Sequence, residues 1–150
     1  MTPLWRAHRL EALRDHPAPD AALLAALETP RLDAARSRAA ILAAARMNRF
    51  LSYGDVAEAS FLCWREARRA MDPHLEALCR GSLRAGGPLI SAIVVNRTGL
   101  ATGHMEGRAL AGFCAMAARL GVVVGADPAA FLAHEQRAIF AWVETHDLHD

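Results

Sequence analysis

A chain of 150 residues that is 53% hydrophobic can bury about two-thirds of its unfolded surface in one core, so no disulfide or metal staple is required. Three cysteines, Cys63, Cys79 and Cys114, without CxxC spacing argue against a disulfide framework or structural zinc and predict free, buried thiols. Net charge is only +1, and "MTPLWRAHRLEALRD" carries charges every few positions, which predicts neither signal peptide nor membrane span, and a cytoplasmic protein.

Alanine supplies many of the apolar residues, which favours closely packed helices with little sheet. Thr2-Pro3, Thr29-Pro30, Asp72-Pro73 and Asp127-Pro128 each pair an N-cap residue with proline at the first helical position, predicting helices from about 3, 30, 73 and 128. Another is expected from Asp20, after the "HPAPD" break, to Glu28. The helix from Pro30 should end near Met47 and bury a stripe of Leu32, Ala35, Ala39 and Leu42.

"FLSYGDVAEAS" (50–60) follows. Its first two residues suit a brief strand. Ser52 with Asp55 three positions on resembles a capping box that opens a helix from Tyr53 to Ala59. After a turn at 60–63, "WREARRAM" predicts a helix with Arg65, Arg68 and Arg69 on exposed sides, interrupted or restarted at Asp72-Pro73. The next helix should bury Leu75, Leu78 and Cys79, expose Arg80 and Arg84, and stop at Gly86-Gly87. "LISAIVV", "NRTG" and "LATG" then read as a β-hairpin with Arg97 at its tip. Two further helices carry Leu110, Phe113, Cys114, Ala117 and Leu120, then Phe131, Ile139 and Trp142, joined by "GVVVGA" as a small strand.

This order predicts a mainly α fold: a winged helix-turn-helix core (30–104) with a small β-hairpin wing, between an N-terminal helical extension (1–29) and a C-terminal helical pair (105–150) in a single domain. Charge follows the same division. Residues 31–108 hold twelve Arg against seven acids, and the whole chain has no Lys. Every cation is therefore a guanidinium suited to phosphate or carboxylate, although a GC-rich genome favours arginine equally.

At "SYGDVA" (52–57) and "EARRAM" (66–71) the chain resembles the DNA-binding domain of alkylguanine-DNA alkyltransferases and alkyltransferase-like proteins, over roughly residues 36–104. In that family a "SYGxxA" entry precedes an "aaRavG" segment and then "PCHRVV" with a glycine-containing wing. The resemblance implies a backbone contact for Tyr53 and an intercalating role for Arg68. Aligning the paired valines sets "ISAIVVNRTG" over "PCHRVVxxxG", so Ser91 stands at the position of the family's nucleophilic cysteine, with Ala92 and Ile93 for histidine and arginine. A serine without a base does not accept an alkyl group at neutral pH, so alkyl transfer is not expected.

The sequence thus predicts a non-catalytic protein that binds duplex DNA, including DNA with a distorted or modified base, through Tyr53, Arg65, Arg68, Arg69 and Arg97. Trp64 is expected to be buried. The alternative is a protein-interaction module on the same scaffold, favoured if Asp55, Glu58, Glu66 and Asp72 interrupt the basic surface. An enzyme using Ser91 or a cysteine would need His74 or His104 brought beside it by the fold. The seven histidines are scattered, and no metal site or cofactor is expected.

Overall fold

A computed structural model describes residues 31–146, so the helices expected from 3 and 20 lie outside the described residues. The fold is mainly helical, with helices α1 (Ala34–Arg46), α2 (Tyr53–Ala59), α3 (Trp64–Arg84), α4 (Gly107–Arg119) and α5 (Pro128–His146). Two short strands, β1 (Leu51–Ser52) and β2 (Val94–Val95), pair in parallel with Leu51 opposite Val94 and Ser52 opposite Val95.

Helix α1 starts later than the Thr29-Pro30 signal implies. Asp33 is its N-cap, accepting a hydrogen bond from the Arg36 N–H at 2.9 Å. Its buried face is Ser37, Ile41, Leu42 and Ala45, whereas Ala35 and Ala39 of the expected stripe are exposed. A branched Ile removes far more apolar surface from water than an Ala does, so Ile41 sets the face that turns inward.

Helix α3 runs unbroken through Pro73, against the expected interruption. Proline removes one backbone donor and crowds the preceding turn. Here Ala67, Met71, Leu75, Leu78 and Cys79 are buried on both sides of it, and this continuous apolar face holds the helix together across the break. It ends as expected: Ala85 is the C-cap and Gly86 takes a positive φ of 82°.

The expected hairpin does not form. Every residue from Leu89 to Val95 is buried, because the segment threads between α3, α5 and α1 and has no solvent face. Ile90–Ile93 curls into a 3-10 turn before β2, which pairs with β1 and not with a return strand. Beyond β2, Gly99 N–H bonds the Asn96 carbonyl at 2.8 Å and Gly103 N–H bonds the Gly99 carbonyl at 2.7 Å. These local bonds consume the donors that a hairpin ladder would use. The loop closes so tightly that a Cβ on Gly99 would strike the His104 carbonyl.

The "GVVVGA" strand is also absent. Gly121 and Gly125 adopt positive φ and Val123 is 87% exposed. Asp127 does open α5, accepting from the Ala130 N–H at 3.1 Å. The core gathers Ile41, Leu42, Val56, Met71, Leu89, Ile93 and Ile139 from all but one of the helices and from the central segment; α4 adds Phe113, whose ring lies 5.8 Å from Phe131 of α5.

Candidate nucleic-acid interface

The parallel register decides where the candidate residues meet. Both strands point the same way, so Tyr53 and Gly54 leave the sheet at the end where Asn96 and Arg97 leave it. Tyr53 is held there by a complete capping box. Ser52 Oγ accepts from the Asp55 N–H at 3.0 Å, and Asp55 Oδ2 accepts from the Ser52 N–H at 2.9 Å.

Tyr53 is half-buried, its ring centroid 5.8 Å from that of Trp64 at the start of α3. Burial, and secondarily the Asp72 carboxylate, push the phenol above its ordinary value. It therefore stays protonated and able to donate to an anion. Trp64, Arg68 and Asp72 fall at i, i+4 and i+8, one row of α3. Tyr53 senses both ends of that row, and Arg68 is its middle member.

Trp64 is 44% exposed, contrary to the expected burial. The inward face of this part of α3 belongs to Ala67 and Met71, and the indole lies off that face against the Tyr53 ring. Arg65, Arg68 and Arg69 are all exposed, as is Arg97. None of the four makes an ion pair or side-chain hydrogen bond with a described residue. Of the acids that could break this surface, Asp55 caps α2 and Glu66 accepts from the Cys63 N–H at 3.0 Å. All four of Asp55, Glu58, Glu66 and Asp72 are exposed among these arginines.

Sequence reasoning missed Phe61. It sits in the α2–α3 turn with φ of 63° and is 47% exposed, with the Arg36 guanidinium 4.8 Å from its ring centroid. An aromatic within the turn from Ser60 to Cys63 was the available signal. The Arg36 contact from α1 left none.

Ser91 lies apart from this surface. It is buried, and its Oγ accepts from the Cys79 thiol at 3.2 Å. Burial pushes the Cys79 thiol up, away from the reactive thiolate. His74 Nε2 lies 2.7 Å from Ser37 Oγ, and His104 is exposed; neither imidazole bonds Ser91. Cys63 is exposed and Cys114 half-buried, so only Cys79 fits the expectation of buried thiols. Among the described residues no group of three or more His, Cys, Asp or Glu is placed to hold a metal, and no helix is long and apolar enough to cross a membrane. No protein-family model, curated protein or solved structure matches this chain.

Proposed function

We propose that the chain is a DNA-binding protein of alkyltransferase-like helix-turn-helix type, with α2 and α3 as the helix pair and α3 as the helix that enters a groove. The observation that carries the reading is the set of exposed guanidiniums at Arg65, Arg68 and Arg69, without an ion-pair partner among the described residues, on the helix whose Trp64 packs against Tyr53, with Arg97 emerging from the same end of the sheet as Tyr53. Arg68, in the Tyr53 row, reaches between base edges or into a helical defect, while Arg65, Arg69 and Arg97 neutralise phosphates. The compact 96–103 loop takes the place of a hairpin wing. Ser91 is buried and hydrogen-bonded to Cys79, with no imidazole bonded to it among the described residues, which supports a binding role in preference to alkyl transfer.

Fluorescence anisotropy with a labelled duplex, with and without an alkylated guanine, tests this across a salt series. Affinity should fall steeply with salt, and Arg68→Ala should weaken binding by about 1–3 kcal/mol. Preference for the alkylated duplex would support the alkyltransferase-like reading in particular. Arg68→Ala and Arg69→Ala variants that bind as tightly as the parent would sink the proposal. The exposed rings of Phe61 and Trp64, three residues apart in the chain, favour a second reading, docking of a protein partner. Absence of DNA binding even at low salt would select it.

A further inference from the structure

A depression of about 390 Å³ lies where α3 and α4 end, lined by Arg80, Leu83, Arg84, Arg119 and Leu120. Glu76, one turn before Arg80, clamps two of these arginines. Arg119 Nη2 and Nε donate to its Oε1 at 2.6 and 3.0 Å, and Arg80 Nη2 donates to its Oε2 at 3.2 Å. Each clamped guanidinium keeps unused N–H donors. Arg84 makes no ion pair or hydrogen bond with a described residue. Leu83 and Leu120 are half-buried and supply an apolar wall.

Charge narrows the ligand. Three guanidiniums face one carboxylate, an excess of two positive charges. Arg84 and Arg119 are the last residues of their helices, and each helix C-terminus contributes about half a negative charge. The net attraction is therefore close to that of a single positive charge, which suits a monoanion better than a phosphate dianion. A planar guanidinium fork matches a carboxylate with two parallel hydrogen bonds.

We propose that this depression binds a monocarboxylate with a flat apolar body, its carboxylate on Arg84 and the free donors of Arg80 and Arg119, its body against Leu83 and Leu120. The site stands about 28 Å along the α3 axis from Arg65 and does not rest on the DNA reading.

The test is titration of the full chain, followed by backbone amide NMR, with benzoate, benzyl alcohol and inorganic phosphate as separate probes. Benzoate should shift the amides of Leu83, Arg84, Leu120 and Gly121 saturably, with benzyl alcohol and phosphate at least about tenfold weaker. Arg84→Ala should weaken benzoate by about tenfold, and Arg84→Lys, which keeps charge but loses the fork, should fall between. Arg84 is exposed, so the parent spectrum elsewhere verifies the fold of each variant. Arg65→Ala should leave benzoate binding unchanged. Absence of the shifts, equal binding of phosphate or benzyl alcohol, or retention of affinity in Arg84→Ala would each overturn the proposal, as would equal weakening by Arg65→Ala.

Discussion

Gln136 is a polar side chain in the core, and its position explains why the loop carrying Arg97 is held. Its Nε2 donates to the Ala92 carbonyl at 3.0 Å and to the Gly103 carbonyl at 2.8 Å, tying α5 to the central segment and to the far end of that loop. Gln136→Leu keeps the volume but strands two carbonyl groups, and should destabilise the fold by about 2–4 kcal/mol in urea unfolding. Gly103 beside it has φ of 78°, and an added Cβ would meet the Phe50 ring. Gly103→Ala should therefore destabilise the fold through both backbone strain and overpacking, by about 2–4 kcal/mol, read as a lowered Tm. Gln136 was illegible as a core residue because nothing local in "HEQRAIF" reveals carbonyls waiting at positions 92 and 103. Arg65, Arg68 and Arg69 were legible as exposed, since their spacing sets them off the apolar face of one helix.

Single side chains decide where elements begin, and burial decides whether they continue. Ser52→Ala removes one half of the capping box at α2 and should cost about 1–2 kcal/mol. Because Tyr53 is the first residue of that helix, the same variant should weaken DNA binding; unchanged stability in thermal unfolding would contradict the capping account. Pro73 behaves in the opposite sense. It sits exposed inside α3, where Pro is about 3 kcal/mol less favourable than Ala. Pro73→Ala should raise Tm, by an increment corresponding to about 1–3 kcal/mol. A lowered Tm would mean that the packing of Met71 and Leu75 depends on the geometry that Pro73 imposes. Both residues read alike in the sequence, as local start signals. Only for Ser52 does nothing on the preceding side compete with the start.

At the scale of the whole molecule, the pairing of α1 with α3 makes stability depend on pH. His74 of α3 bonds the fully buried Ser37 of α1, and burial lowers its imidazole below the ordinary value of 6.5, with Asp33 opposing in part. The unfolded chain then binds the proton first as pH falls. The stability held by neutral His74 is fully present above about pH 6.5, and is lost progressively as pH drops toward the lowered folded-state value. Urea unfolding at pH values between about 5 and 7.5 should show this acid-side slope, and His74→Gln should flatten it. A slope of the same size in that variant would assign the effect to other groups.

The sequence alone determined the mainly helical class, the capped starts of α2 and α5, the end of α3 at its double glycine, and the exposure of the arginines of α3. Each of these is set by contacts within about one helical turn, through caps, proline and glycine geometry, or 3.6-residue spacing. The tertiary structure decided the rest. Leu51 and Ser52 took Val94 and Val95 as partners in place of a hairpin return, Pro73 was carried through α3, and Ser91 met Cys79 in the core. In each case the deciding interaction joins distant stretches of chain or sums burial over a whole helix face. An apolar run such as "LISAIVV" suits any such burial equally, until its neighbours in space are fixed.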